Sequence, residues 1–366
     1  MHRRGTRGSV PLNALTVCAY TRKGSLVGAP TVYDVAERAN VSIATVSRVY
    51  RNPDSVREQT RDRVLAAARE LGYVPSGNAR GLASRTTGVL GLCFPDYADP
   101  EIDDIDEQTL YADEITRGME RAARRRGYAL LIAASLADGP QSLVASVAGR
   151  VDGFAVLART IATEDLELMA RRLPVVMVAG PREIDHLDHI EVANQDGERE
   201  LTAHLVVDHG LRHLAFISGP ADSPDAAARF RGFQEALDKA HLPVPDEPAV
   251  RGDFTQAGGR AAMRQLLDRG PLPQALVFAN DQMAVGAYDV LERRGLRVPD
   301  DIAVVGFDGI PLGRVVRPGL TTVTQPMRRL GETAVDLLIE RLTDPGRDPR
   351  SVMLPVTQTR RASCGC

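Results

Sequence analysis

Hydrophobic and polar positions predict a long α/β region between residues 88 and 360. Short continuous apolar runs alternate there with amphipathic segments of helical length. The apolar runs are GVLGLCF, YALLIAA, GFAVLA, PVVMVA, HLAFISG, ALVFAN and IAVVGFD, and the helical segments include 113–126, 196–209 and 281–294. Continuous apolar runs are typical of parallel strands that are covered on both faces. The number of strands favours two doubly wound lobes over a single sheet.

Residues 31–75 carry a different pattern, with three short helical segments. Thr31 precedes the first segment and Asp34 stands three residues later, as in a capping box. Asn40 tolerates the left-handed conformation that ends a helix, and Ser42 is positioned to cap the second segment. Two short helices joined by a tight corner predict a small all-α helix-turn-helix head. A generic three-helix unit is the alternative.

Charge follows the same division of the chain. Residues 1–85 hold 14 Lys or Arg against 6 Asp or Glu, whereas the remaining residues hold 31 against 42. A cationic head on an anionic body is typical of a polyanion-binding module joined to a second domain. The second helix is predicted to expose Ile43, Ala44, Ser47 and Arg48 with no acidic residue among them. A generic three-helix unit does not explain that surface.

The head closely resembles the lactose/galactose repressor (LacI/GalR) family. TVYDVAERANVSIATVSRV resembles the family's amino-terminal signature, YVPSGNARGLAS resembles its hinge, and the resemblance continues to about residue 360. It implies that the second helix enters the major groove of operator DNA. The matching positions are Ile43, Ala44 and Arg48 for base edges, Ser42, Thr45 and Ser47 for phosphates, and Thr31 and Tyr33 from the first helix. Arginine can bond guanine O6 and N7, and Ile or Ala can contact a thymine methyl group.

Residues 76–87 are predicted to form a hinge. Asn78, Ala79 and Leu82 lie in a stretch that is too short, and made too costly by Gly81, to be a stable helix alone. The resemblance implies that this hinge folds only on DNA, where two copies pack together in the minor groove. Leu82 would then insert between base pairs and kink the duplex. A plain interdomain linker is the alternative.

Residues that follow parallel strands face the crevice of an open α/β sheet, which makes Asp308 and Asn280 candidates for binding an effector, and the resemblance adds Arg231 and Phe254. Asp308 and Asn280 each end a predicted strand, Arg231 lies near a helix start, and Phe254 lies in RGDFTQAGG. The resemblance assigns all four to ligand contact in a periplasmic-binding-protein-like body. Their chemistry suits a sugar or a nucleoside. Alternatively, Asn280 caps a helix and Arg231 forms a surface ion pair.

Two departures from the family pattern exclude lactose as an implied ligand. Ala179 stands where the lactose-type repressor has an acid. The stretch 99–107 is longer and more acidic than usual. Its carboxylates could bind calcium, but they lack the spacing of a calcium loop, so a solvated acidic loop, or one at the cleft mouth, is favoured.

No metal, cofactor or enzymatic activity is expected. The sequence lacks dinucleotide, P-loop, nucleophile-elbow and zinc-protease motifs. Cys18, Cys93, Cys364 and Cys366 make neither a disulfide framework nor zinc-site spacing, which indicates a reducing cytoplasm. The histidines between residues 186 and 213 are interpreted as surface residues. No apolar run reaches 18 residues, so no membrane span is expected.

These observations predict a ligand-responsive transcription regulator, with repression favoured, that binds a pseudopalindromic operator as a homodimer. The absence of a leucine heptad after the body favours a dimer over a tetramer. The predicted organisation is a flexible basic extension (1–30), the helix-turn-helix domain (31–75), the hinge (76–87), a two-lobed effector-binding and dimerisation domain (88–360) and a tail (361–366). The rivals are a solute-binding protein, which would not need residues 31–84, and an architectural DNA-binding protein, which would not need a cleft. Whether the effector induces or co-represses stays open.

Overall fold

The computed structural model describes residues 30–74, 86–95, 110–135, 147, 149–180 and 184–366. The predicted hinge residues Asn78, Ala79 and Leu82 lie outside the described residues, as does the acidic stretch 99–107. The chain divides into two compact units, Met1–Ala79 and Arg80–Cys366.

The first unit contains three helices whose ends follow the sequence signals. They are α1 (Val32–Ala39), α2 (Ile43–Arg51) and α3 (Glu58–Leu71), with a 3-10 turn at Pro53–Ser55. The Asp34 carboxylate accepts hydrogen bonds from the Thr31 amide (2.6 Å) and hydroxyl (2.7 Å). Asn40 leaves α1 with a φ of 51°, and the Ser42 hydroxyl accepts from the Thr45 amide at 3.2 Å. The predicted caps are confirmed.

The helices of the first unit enclose a small core of valine and alanine. Val35, Val46 and Val64 contribute one side chain from each helix, and all three are fully buried. Ala36 and Ala39 are buried in the same core, where a methyl group occupies little space between packed helices. This arrangement is the predicted helix-turn-helix.

The second unit has two α/β lobes. The first lobe has the parallel strand order β11-β5-β4-β3-β1-β2. Its strands are β1 (Val89–Pro95), β2 (Ala129–Ser135), β3 (Gly153–Leu157), β4 (Val175–Val178), β5 (Asp188–Val192) and β11 (Ser351–Leu354). Its helices are α4 (Leu110–Arg125), α5 (Thr163–Ala170) and α11 (Met327–Thr343).

The second lobe has the strand order β12-β10-β9-β8-β6-β7, parallel except for the antiparallel edge strand β12. Its strands are β6 (Leu214–Ser218), β7 (Val250–Arg251), β8 (Ala275–Phe278), β9 (Ala303–Asp308), β10 (Thr321–Thr324) and β12 (Thr357–Thr359). Its helices are α6 (Asn194–Val207), α7 (Pro224–Lys239), α8 (Gln256–Leu267), α9 (Asp281–Arg293) and α10 (Leu312–Val315), and a 3-10 turn at Ala362–Cys364 follows β12.

The chain passes between the lobes three times. It crosses at Ala193 between β5 and α6, at Gln325 between β10 and α11, and at Pro355 between β11 and β12. Three crossings make the connection between the lobes a bundle of short segments, which is a geometry that permits hinge motion. The predicted fold class, a helix-turn-helix head with a two-lobed α/β body, is confirmed.

Close packing of α6 on α7 positions the cleft residues of the second lobe. Gly232 in α7 faces the backbone of α6, and a Cβ atom at this position would lie 2.2 Å from the carbonyl oxygen of Gln195. The absence of a side chain therefore lets the two helices approach each other. Their first turns come together at the cleft, where Asn194 of α6 contacts Arg229 of α7.

Candidate functional site

An open cavity lies between the two lobes, and the space inside it, solvent at its mouth included, is about 800 Å³. From the first lobe it is lined by Tyr111, Ala112, Leu157, Ala158, Arg159 and Ala179. From the second lobe it is lined by Ser223, Pro224, Asp225, Arg229, Phe254, Thr255, Asn280, Gln282 and Asp308. Most of these residues follow the carboxyl ends of strands, where open α/β sheets bind ligands.

Arg229 lies at the centre of the hydrogen-bond network of the cavity wall, and its side chain is buried, with the residue only 4% exposed. Its Nε donates to Oδ1 of Asn194 at 2.9 Å, and its Nη1 donates to the carbonyl oxygen of Ala279 at 2.5 Å. Nη1 also lies 3.4 Å from Oδ1 of Asp308. The guanidinium stacks on the Phe307 ring, with Cζ 3.9 Å from the ring centroid. These contacts fix the orientation of a buried positive charge at the cavity wall.

Arg231, which the resemblance assigned to ligand contact, does not line this cavity. Its side chain is exposed, and its Nε lies 3.4 Å from Oε1 of Gln195, outside the interlobe cavity. Two residues correspond to about 200° of rotation around a helix, so Arg229 and Arg231 point in nearly opposite directions from α7. The motif ARFR contains both arginines, and the sequence prediction named only Arg231. Asp225, one helical turn before Arg229, was also missed.

Asp308 reaches the cavity from the end of β9. Burial raises the pKa of this carboxyl to about 6, while the positive charge of Arg229 and a hydrogen bond from Gln325 Nε2 at 2.6 Å act in the opposite direction. Behind it, the fully buried Asp281 accepts hydrogen bonds from the Thr322 hydroxyl and two backbone amides. Burial and the neighbouring charge of Asp308 raise the pKa of Asp281 well above its ordinary value.

Two side-chain contacts join the lobes beside the cavity. Oδ1 of Asp225 accepts from the Gly180 amide of the first lobe at 3.0 Å and from Asn194 Nδ2 at 2.8 Å. Arg159 of the first lobe pairs with Asp222 of the second at 2.5 Å. Among the residues that the structure describes, none donates a hydrogen bond to Oδ2 of Asp225 or of Asp308. Each carboxylate therefore keeps an acceptor atom for a ligand.

Asn280 lines the cavity but also caps α9. Its Oδ1 accepts from the Met283 amide at 3.0 Å, and its Nδ2 donates to the carbonyl oxygen of Phe254 at 2.9 Å. Both polar atoms thus have protein partners, as the helix-capping interpretation requires. The Phe254 ring lies against Gly219, where a Cβ would come within 2.3 Å of the ring.

Backbone strain is concentrated around the cavity. Six non-glycine residues in the described part of the chain have a positive φ, and four of them line the cavity. These four are Arg159 (68°), Ala179 (65°), Phe254 (74°) and Asp308 (123°). Unfavourable backbone conformations persist where the surrounding structure imposes them, and they cluster at binding sites.

A second candidate site is the exposed face of α2. Ile43, Ala44 and Arg48 are exposed, whereas Val46 and Val49 are buried on the opposite face. The other predicted DNA contacts are also accessible: Thr31, Tyr33 and Ser42 are exposed, and Thr45 and Ser47 are half-buried. Helix α2 contains no acidic residue. This face can therefore approach a polyanion without charge repulsion from its own side chains.

A helix-turn-helix head in one chain with a two-lobed body and a cleft between the lobes defines the class of ligand-responsive DNA-binding regulators. Residues 31–76 match the family described as "Bacterial regulatory proteins, lacI family", and residues 202–364 match "Periplasmic binding protein-like domain". The chain is 36% identical over 338 residues to the ribose operon repressor of Escherichia coli (strain K12), covering 91% of this chain and 99% of the repressor. The chain belongs to the LacI family of transcriptional regulators, as the resemblance predicted, and it is not an enzyme.

Other relatives and solved structures agree with this assignment. The HTH-type transcriptional repressor PurR of Klebsiella pneumoniae (strain 342) is 34% identical, covering 88% of this chain and 93% of PurR. The lac repressor dimer bound to operator and the anti-inducer ONPF has a TM-score of 0.78 at 28% identity, covering 92% of this chain and 99% of that one. The regulator CelR in complex with cellobiose has a TM-score of 0.68 at 32% identity, covering 91% and 99%. Among the described residues, no helix is both long and apolar enough to span a membrane.

Proposed function

We propose that this regulator is a cytoplasmic homodimeric repressor whose interlobe cavity binds a sugar or a nucleoside. The two possible ligands share a ring with adjacent hydroxyl groups. The similarity to a ribose operon repressor and to a cellobiose-bound regulator supports this class of effector. Two copies of the head would read the two halves of a pseudopalindromic operator.

The buried Arg229 network carries the effector proposal. The guanidinium can donate to ligand oxygens, and Oδ2 of Asp225 and of Asp308 can accept from ligand hydroxyls. Charged partners make these hydrogen bonds stronger than neutral ones. Phe254 supplies an apolar face for the ring of the ligand. Asn280 contributes to the cavity wall, with its amide engaged by α9 and Phe254.

In the DNA-binding part of the proposal, α2 lies in the major groove. Ile43, Ala44 and Arg48 contact base edges. Ser42, Thr45 and Ser47 lie near phosphates, which position the head without reading sequence. Thr31 and Tyr33 complete the contact set from the start of α1, and Asn78, Ala79 and Leu82 act in the minor groove.

The relative arrangement of the two lobes couples effector binding to DNA binding. A ligand that contacts both lobes favours the arrangement in which those contacts form, and only this difference in affinity can shift the equilibrium. The links Gly180–Asp225 and Arg159–Asp222 already join the lobes beside the cavity. The ligand therefore acts by strengthening or replacing these links.

A thermal-shift screen tests the proposal, with pentoses, hexoses, nucleosides and free nucleobases as the panel. A ligand at 100 times its Kd stabilises the folded state by about 2.7 kcal/mol, which is readily measured. We expect a shift with at least one hydroxyl-bearing ring and none with free nucleobases. A response to nucleobases alone would contradict the effector class. Sedimentation in the presence of reductant tests the homodimer.

A further inference from the structure

A cluster of two histidines and two cysteines lies at the end of α6 that is remote from the cleft. His204 belongs to the last turn of α6, and His209 follows that helix. The carboxyl-terminal residues Cys364 and Cys366 return to the same place. One ligand atom from each of the four side chains can be chosen so that all four lie within 4.8 Å of one another.

Five of the six separations between these ligand atoms lie between 3.2 and 3.6 Å, close to the edges of a tetrahedron around a metal ion, and the sixth, between Cys364 and His209, is within 4.8 Å. Cys366 Sγ lies 3.3 Å from His204 Nε2 and 3.4 Å from His209 Nε2. The two Nε2 atoms are 3.2 Å apart, Cys364 Sγ lies 3.6 Å from His204 Nε2, and the two sulfur atoms are 3.2 Å apart. Zinc bonds of about 2.0–2.3 Å in tetrahedral geometry require ligand separations of about 3.3–3.8 Å. The side chains are thus arranged at close to metal-binding distances.

A carboxylate orients one of the histidines as metal sites require. Nδ1 of His204 lies 2.7 Å from Oδ2 of Asp208, which itself pairs with Arg360 at 3.0 Å. This contact places the His204 proton on Nδ1 and leaves the Nε2 lone pair directed at the sulfur atoms. Histidine ligands of zinc almost always donate their other ring nitrogen to such a partner.

The backbone of the tail presents both cysteines on one side. Gly365 separates them with a φ of 94°, a conformation that favours glycine. Ser363, which precedes Cys364, is buried and held in place. Its hydroxyl accepts from the Thr321 amide at 2.8 Å and donates to the carbonyl oxygen of Val304 at 2.5 Å. The tail is therefore anchored to β9 and β10 independently of the cluster.

We propose that His204, His209, Cys364 and Cys366 form a structural Zn²⁺ site. Two thiolates and two imidazoles in tetrahedral geometry suit zinc, and four protein ligands leave no coordination position for catalysis. The prediction of no metal rested on the spacing of the cysteines and on the interpretation of these histidines as surface residues. The pair His204–His209 has a spacing found in zinc sites, but only the fold brings the remote C-x-C segment to it.

Metal analysis of the full-length, untagged protein tests the proposal, since an affinity tag of histidines would itself bind zinc. After equilibration with Zn²⁺ under reducing conditions and dialysis, we expect about one Zn²⁺ per chain in the wild type. Cys366→Ser and His209→Asn should lose the metal. His213→Asn is the matched control, because His213 is exposed and lies outside the cluster.

Two further measurements separate a zinc site from other roles of the same residues. Co²⁺ in place of Zn²⁺ should give the visible bands of a tetrahedral thiolate site in the wild type and in His213→Asn only. A chelator should lower the unfolding temperature of these two proteins to that of Cys366→Ser. A zinc content in the wild type no higher than in Cys366→Ser and His209→Asn would overturn the proposal. A Cys364–Cys366 disulfide that persists under reductant would also overturn it.

Discussion

Arg229 and Arg231 differ in environment although only Phe230 separates them. Arg229 is buried in the cleft network, and Arg231 is exposed outside the interlobe cavity. Arg229→Lys keeps a positive charge but removes the planar guanidinium, so it should weaken effector binding by about 10- to 150-fold, the equivalent of one charged hydrogen bond. Calorimetric titration with the effector found in the screen measures this loss.

Arg231→Lys is the matched control for that experiment, and it should leave effector affinity unchanged. Because Arg229 also compensates the buried charge of Asp308, the unfolding temperature of both variants should be recorded beside the titration. Equal affinity in the two variants would refute the central role of Arg229.

Arg48 offers the corresponding test on the DNA side. It is exposed on α2, and we expect Arg48→Ala to cost about 1–3 kcal/mol of operator affinity and to relax preference at one base pair in each half-site. Competition binding against a set of operator variants measures both effects. Arg63→Ala, on the exposed face of α3, removes the same charge and should not relax base preference. An equal loss of affinity for operator and random DNA would make Arg48 a phosphate contact.

The residues that sequence could predict are those whose partners lie nearby in the chain. The caps formed by Thr31 with Asp34 and by Ser42 involve neighbours three positions away. Choosing Arg229 required the rotation of α7 relative to the cavity, which the sequence pattern did not supply. Prediction of the proposed zinc site would have required knowledge of the contact between α6 and the carboxyl-terminal tail, and no local pattern encodes that contact.

At the scale of elements, the strands missed by sequence bury polar side chains, are very short or, like β11, consist mostly of exposed or half-buried residues. All seven apolar runs form strands, whereas β5, β7, β10, β11 and β12 were not predicted. Thr322 in β10 donates to Asp281, and Asp188 in β5 pairs with Arg341 and Arg347. Burial of a polar group becomes acceptable when a partner is present. Those partners come from distant segments, so these strands do not show as apolar runs.

Helix α6 carries a buried acid that makes stability depend on pH. Glu198 is fully buried, its Oε1 accepts from the Thr202 hydroxyl, and burial raises the pKa of Glu198 to about 8. A raised pKa in the folded state contributes stability that is complete below the ordinary value near 4.5 and is lost as pH rises through about 8. Relative to Glu198→Gln, the wild type should therefore lose on the order of a few kcal/mol of unfolding free energy between pH 5 and pH 8.

Urea unfolding of both proteins at several pH values checks this difference. Glu200→Gln is the control, since Glu200 is exposed on the same helix and should not alter the slope. Parallel pH profiles for wild type and Glu198→Gln would show that Glu198 is not the responsible group.

The two links between the lobes should contribute unequally to effector binding. Arg159 and Asp222 pair with side chains that are 31% and 69% exposed, so Asp222→Asn should change effector affinity by no more than about fivefold. Salt should reduce that effect. Asp225 accepts two N–H groups at the cavity, and Asp225→Asn should cost about 1.5–3 kcal/mol. Titrations at low and high salt compare the variants, and a larger effect of Asp222→Asn would reverse the assignment of the main link.

At the scale of the whole molecule, the two candidate sites lie in separate units of the chain. The exposed face of α2 belongs to the first unit, and the cavity lies within the second. A regulator works only if the free energies of the two binding events are coupled, with typical couplings of about 1–3 kcal/mol. Coupling requires two arrangements of the body that the effector and the operator favour differently.

Such coupling must be reciprocal, which gives a quantitative test of the mechanism. If the effector changes the operator Kd by some factor, the operator must change the effector Kd by the same factor and in the same direction, because both routes around the cycle end in the same complex. Operator Kd values with and without saturating effector, and effector Kd values with and without operator, supply the two factors at one salt concentration.

We expect the two factors to agree. We also expect Arg48→Ala to preserve the factor by which the effector changes the operator Kd, because this substitution removes a base contact without touching the cleft. Arg229→Lys should reduce the factor at a fixed effector concentration and restore it at a higher one. A factor of one for the wild type, with the operator Kd unchanged by saturating effector, would show that effector and operator do not act on a shared equilibrium of the body.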